Sequence, residues 1–140
     1  MRNRKLPIIL ALFGISACSQ QQPPSTNVNV NPPVKLAIAS GSDPLVAGIC
    51  SGENIVKTLD KDGNLAKVNY EQTFRLTSSS AYIVFYTDPE CNTVTKAVKI
   101  PANEYEGRFF VKMNKAEYVT YIVSGNNLSA AAESKTAISQ

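Results

Sequence analysis

Tyr118-Val119-Thr120-Tyr121-Ile122-Val123 decides the fold class. Val119, Tyr121 and Val123 alternate with Tyr118, Thr120 and Ile122, so the apolar period is two and not the roughly 3.6 of a helix. β-branched and aromatic residues, which suit a pleated half-buried surface, fill the run. The same alternation extends outward from it. Phe109, Val111 and Met113 alternate with Phe110 and Lys112; Tyr82, Val84 and Tyr86 with Ile83, Phe85 and Thr87; Val34, Leu36 and Ile38 with Lys35, Ala37 and Ala39. Downstream, Leu128 to Thr136 reads as a strand, although Ala130 to Ala132 have good helical propensity and leave a helical alternative there. Turn signals separate the runs: Ser40-Gly41-Ser42-Asp43-Pro44, Asp62-Gly63-Asn64, Ser78-Ser79-Ser80, Asp88-Pro89-Glu90 and Ser124-Gly125-Asn126-Asn127. Short strands at this spacing predict a β-sandwich or barrel.

Charge narrows the function classes. The 140 residues hold 14 Lys+Arg and 11 Asp+Glu, a formal net charge of +3. Three of those cations, Arg2, Arg4 and Lys5, precede an apolar run from Leu6 to Ile15. Without them 11 basic residues face 11 acidic ones (14 less 3), and the balance is zero. The basic character therefore belongs to the leading segment, and the rest is no polycationic binder of nucleic acid or anionic lipid. There is no histidine, which removes the commonest general base and the commonest transition-metal ligand together.

The leading segment, MRNRKLPIILALFGISAC, has a positive start, an apolar middle and small residues before Cys18. It is too short for a permanent membrane span, which needs about 20 apolar residues. Its ending, Ile15-Ser16-Ala17-Cys18, resembles the lipobox of bacterial lipoprotein signal peptides. That resemblance implies removal of residues 1–17 between Ala17 and Cys18, with Cys18 left as an acylated first residue. An ordinary cleavable signal with a chance cysteine is the alternative. Diacylglycerol on the thiol plus an amide-linked chain would supply the two anchors that stable membrane attachment requires. Ser19 stands where an aspartate would mark inner-membrane retention, which in a Gram-negative envelope favours the outer membrane over the inner; whether the rest faces the periplasm or the exterior stays open. Residues 18–33 are uncharged and rich in proline, glutamine and asparagine, and read as a tether. A coil of about 15 residues spans on the order of 20 Å.

Residues 34–140 form the remaining domain. With Cys18 taken by lipid, Cys50 and Cys91 are an even pair in an oxidising compartment, and one intrachain pairing is possible. Both lie beside turn sequences, so the bridge is expected to pin a strand start to a loop; two free thiols, or pairing between chains, are the alternatives.

Ala47-Gly48-Ile49-Cys50-Ser51-Gly52, then Asp60 to Asn64, Leu76-Thr77-Ser78-Ser79-Ser80 and Phe85-Tyr86-Thr87-Asp88-Pro89-Glu90-Cys91 stand in an order that resembles a bacterial immunoglobulin-like repeat of the invasin/adhesin type. Val98-Lys99-Ile100-Pro101-Ala102, Arg108-Phe109-Phe110-Val111-Lys112 and Asn127-Leu128-Ser129-Ala130 continue it. The resemblance implies an all-β, immunoglobulin-like antiparallel sandwich of about seven to eight strands with a loop disulfide, and no catalytic residues. Asn127 and Glu117 depart from it, each standing where glycine is common, and one copy replaces the usual tandem array.

Candidate chemistry is sparse. Asp60, Asp62, Asn64 and Glu71 supply oxygen ligands at the first, third, fifth and twelfth positions of a calcium-type loop. Gly63, however, falls at the fourth position where the sixth is required, and Asp-Gly-Asn is a common hairpin turn. Glu104 and Glu106 would share one face of an extended chain, as a carboxylate pair could. The hydroxyls of Ser78, Ser79 and Ser80 have no histidine to activate them. Lys96, Lys99, Lys112 and Lys115 are expected to blunt edges and solvent faces. Most aromatics belong to the core; a tyrosine left outside would anchor a partner, and Tyr118 or Tyr121 suits a tyrosine corner. The reading is a lipid-anchored module for adhesion or envelope contact with a protein or glycan, without enzyme activity, cofactor, metal or nucleic-acid partner. The alternatives are an accessory subunit of a trans-envelope complex or, last, a calcium-binding or hydrolytic domain.

Overall fold

The computed structural model describes residues 31–41 and 43–140. Among them there are ten strands and no helix: β1 (Lys35–Ser40), β2 (Leu45–Val46), β3 (Asn54–Leu59), β4 (Gln72–Ser78), β5 (Ile83–Tyr86), β6 (Val94–Thr95), β7 (Ala97–Ile100), β8 (Glu106–Met113), β9 (Tyr118–Gly125) and β10 (Leu128–Ile138). Two of these are only two residues long, and the eight others match the expected count. The Leu128 to Thr136 stretch is strand throughout, its alanines overruled by pairing along β9.

Hydrogen bonding follows the order β6-β5-β8-β3-β1-β10-β9-β4-β7. The chain folds between β1 and β10 into two layers, an immunoglobulin-like β-sandwich. Not every pair is antiparallel as expected. β1 meets β10 in parallel at Lys35 opposite Ser129, and β2 runs parallel to the end of β10. The first strand leaves one layer for the other, and it lies alongside the last strand in the same direction. Alternation puts Val56, Phe85, Phe109, Val111 and Met113 inside from one layer, and Phe74, Leu76, Val119, Tyr121 and Val123 inside from the other. Phe85, Phe109 and Tyr121 meet edge-to-face across the core, with centroids 5.9 to 6.3 Å apart.

Two poles result. At the near pole, where the chain enters, Val34 N–H donates to Leu59 O, Ser129 N–H to Val34 O, and Asn103 N–H to Val68 O. At the far pole Gly48 N–H donates to Met113 O, Asn114 N–H to Tyr82 O, Ala47 N–H to Ile138 O and Ala137 N–H to Glu117 O. Cys50 and Cys91 are bonded, with Cα atoms 5.8 Å apart. Cys50 bridges Lys112 of β8 just before β3, and Cys91 sits in the β5–β6 loop, so the link joins a strand approach to a loop.

Candidate interaction surface

The far pole gathers large apolar side chains that the core leaves outside. Tyr118 is 66% exposed, and Ile49, Tyr82 and Ile138 are each about half exposed (49%, 48% and 47%). Each arrives for a local reason. Tyr118 opens β9 on the outward phase of the alternation that buries Val119 and Tyr121. Ile49 lies in the turn between β2 and the disulfide, and Ile138 ends β10 one step beyond buried Ala137. Tyr82 closes the β4–β5 loop, where its N–H donates to Ser80 Oγ at 3.0 Å and its carbonyl accepts from Asn114.

Polar groups hold this loop cluster in place. Ser80 Oγ donates to Glu117, and Lys115 Nζ lies 3.7 Å from Glu117 and 4.9 Å from the centre of the Tyr82 ring. The Glu117 turn thus takes its shape from a carboxylate that ties two loops, which a glycine there could not do. A tyrosine fixed at its backbone and capped by a cation is a low-entropy contact group.

The other residues singled out in the sequence are dispersed. Asp60 is buried at the β3–β4 turn and accepts the Asp62 and Asn64 backbone N–H groups, each at 2.9 Å. The Asn64 N–H and the other hydrogen bonds hold its carboxyl below the usual carboxylate range, against an opposing push from desolvation. Glu71 points elsewhere, to Lys99 Nζ at 3.1 Å. Among the described residues no three Asp, Glu, Cys or His groups converge as a metal site. Glu104 is exposed in the β7–β8 loop, and Glu106 pairs with Lys57 at 3.6 Å. Ser78 Oγ donates to Ser80 O, and Ser79 Oγ accepts from Thr120 N–H, so these hydroxyls serve the turn. Lys99 lies exposed on the edge strand β7 and Lys96 between β6 and β7. Ala17 and Cys18 lie outside the described residues.

The tyrosine-corner expectation needs correction. Tyr121 Oη donates to the side chain of Asn54 at 2.8 Å, across the core and 67 residues away, where a corner would bond locally. Tyr118 is exposed. Two aspects of the surface escaped the sequence reading. Ile49 and Ile138 sit outside the alternating runs, and so does Tyr70, 68% exposed at the near pole, which follows Asn69 in a loop with no alternation to bury it.

No protein-family model and no curated protein sequence matches the chain. Solved structures do. A glycosyl hydrolase family 2 member from Bacteroides cellulosilyticus aligns with 76% of this chain at TM-score 0.57 and 11% identity, and the match is 14% of that enzyme. A β-glucuronidase from glycoside hydrolase family 2 aligns at TM-score 0.58 and 15% identity over 76% of this chain and 12% of its own. The ZirS C-terminal domain aligns over 95% of this chain and 87% of its own at TM-score 0.51 and 12% identity. The likeness is one of fold. This chain spans about an eighth of the length of the hydrolases it matches.

Proposed function

We propose that this chain is a non-catalytic, lipid-anchored module of the bacterial cell envelope, which holds its far pole toward a protein or glycan of the envelope or of another surface. The observation that carries this reading is the opposition of the poles. The chain enters beside Val34, bonded to Leu59 and Ser129, while Ile49, Tyr82, Tyr118 and Ile138 gather at the other end. An acyl group on Cys18 and a proline-rich tether would place the entry pole toward the bilayer and leave the tyrosines facing away.

Two measurements test it. Mass spectrometry of the protein from its host is expected to show an acylated Cys18 as the first residue; an unmodified cysteine there rejects the anchor. Replacing Tyr82 and Tyr118 by alanine is expected to reduce cross-linking to envelope partners about tenfold or more, the usual effect of losing aromatic anchors. Unchanged cross-linking rejects the far pole as the contact. Protease added to intact cells then separates an outward-facing adhesive module, which is shaved off, from an accessory subunit inside the envelope, which is protected.

A further inference from the structure

We propose that the groove beside Tyr70 at the near pole is a binding site for one pyranose ring of a neutral glycan. The proposal is independent of the lipid anchor and goes beyond the far pole.

Three parts of the fold, each held by its own backbone, line a groove of about 220 Å³. Pro32 and Pro33 supply the first: their φ angles are fixed by the ring, and Val34 beyond them is bonded to Leu59 and Ser129. The β9–β10 turn supplies Asn126. With Asn127 it takes the left-handed conformation of a two-residue hairpin turn, and its Nδ2 donates to Thr73 O at 3.3 Å. The approach to β4 supplies the rest. Val68 is buried there and clamped through both backbone groups, its N–H donating to Glu104 O at 2.9 Å and its carbonyl accepting from Asn103 N–H at 2.7 Å. Asn69 and Tyr70 follow it out into solvent, and Gln72 returns the chain to the sheet. A groove already shaped in this way pays little ordering entropy when a ligand enters.

The lining selects the occupant. It combines the exposed Tyr70 ring and two proline rings with the primary amides of Asn69, Gln72 and Asn126. Among the described residues no carboxylate or cation lines it; Glu71, between Tyr70 and Gln72 in sequence, is engaged by Lys99 Nζ at 3.1 Å. A charged ligand would therefore lose water without gaining a countercharge. A purely apolar one would strip water from three amides and replace none of their hydrogen bonds. A peptide that adds a strand needs a free sheet edge, and β4 has β9 on one side and β7 on the other. A neutral sugar meets both halves of the lining. The C–H face of a pyranose packs on the negative face of the tyrosine ring. Its hydroxyls donate and accept, as the amides do. The volume lies below the range for drug-sized ligands and suits a single ring.

The test uses the full chain in phosphocholine micelles, because a glucoside detergent would compete. Cellotriose, maltotriose, mannotriose and triacetylchitotriose are the probes, followed by amide chemical shifts. At least one is expected to shift the signals of Tyr70, Gln72 and Asn126, with a dissociation constant of about 1 mM, as befits a single-ring site. Tyr70→Ala is expected to weaken that binding about tenfold or more. Asn126→Gly, which keeps the turn and removes the amide, is expected to weaken it about threefold. Tyr82→Ala, at the far pole, is expected to leave it unchanged. No shift at these residues with any of the four probes at roughly ten times that concentration overturns the proposal. So does equal affinity of Tyr70→Ala and the unsubstituted chain, or a loss of binding in Tyr82→Ala instead, which would place the sugar on the far pole. Tighter binding of an oligogalacturonate or of a proline-rich peptide at the same residues overturns it as well, by giving the groove to an anion or to a polypeptide.

Discussion

Tyr121 shows how a single side chain is committed once it is buried. Its hydroxyl donates to Asn54 Oδ1, and Asn54 Nδ2 donates in turn to Ser51 Oγ and Gly52 O, so a polar chain crosses the apolar core with each member satisfied. Tyr121→Phe removes the donor and leaves a buried carbonyl unpaired; a loss of about 1–3 kcal/mol by urea denaturation is expected. Burial, followed by the charge of Glu133, pushes the Tyr121 hydroxyl well above its ordinary value. Because the folded value is raised, the neutral form's contribution is fully present below about pH 10 and falls away as pH rises above it toward the folded value. Alkaline titration should therefore show unfolding with Tyr121 ionisation and no separate step for it in the native protein. The acid limb has the opposite sign. Asp88, held low by the Asn92 and Thr93 N–H groups, and Asp60, held low chiefly by that of Asn64, stabilise above the ordinary carboxylate value. That contribution is lost as pH falls through their lowered values, so Asp60→Asn combined with Asp88→Asn is expected to flatten the fall of melting temperature in acid.

At the scale of elements, the junction of β7 and β8 sets how closely the layers approach. Gly107 is buried where β8 passes under β7, and a Cβ there would collide with Lys99 O and come within 2.9 Å of Val98 Cγ2. Backbone cannot yield as the end of a long side chain can. Gly107→Ala is expected to cost about 1–3 kcal/mol or more, read as a lowered denaturation midpoint, while substitution at open Gly52 changes little. The β9–β10 turn is a second case. Asn126 and Asn127 take φ of 55° and 60°, the left-handed region that asparagine tolerates second only to glycine. Asn127→Ala should be destabilising by about 1 kcal/mol and Asn127→Gly near neutral, by the same denaturation measurement.

For the whole molecule, the Cys50–Cys91 link spans 41 residues and ties the approach to β3 to the β5–β6 loop. Closing a loop of that length restricts the unfolded chain by about 4 kcal/mol in the chain-entropy account. A variant with both cysteines replaced by serine is expected to lose stability of that order, with its native circular dichroism spectrum retained at low temperature. A loss under about 1 kcal/mol would mean that the core alone sets the stability.

Periodicity, turn residues and cysteine parity are local properties of the chain, and they suffice for an all-β sandwich with one internal disulfide. Val119-Thr120-Tyr121 can bury alternate residues in only one kind of element, and Asp62-Gly63-Asn64 must turn. Which phase of an alternation lies inside is not local. Ile83 and Phe85, and not Tyr82, Val84 and Tyr86, face the core because of the register of β5 against β8. The parallel meeting of β1 with β10, the bond from Tyr121 to Asn54 and the gathering of Ile49, Tyr82, Tyr118 and Ile138 at one pole likewise join residues far apart in sequence. The alternation marked surface tyrosines as possible anchors, but chain crossings choose which ones share an end. Those crossings arise from the packing of two twisted layers around one core, a constraint that no short window of sequence carries.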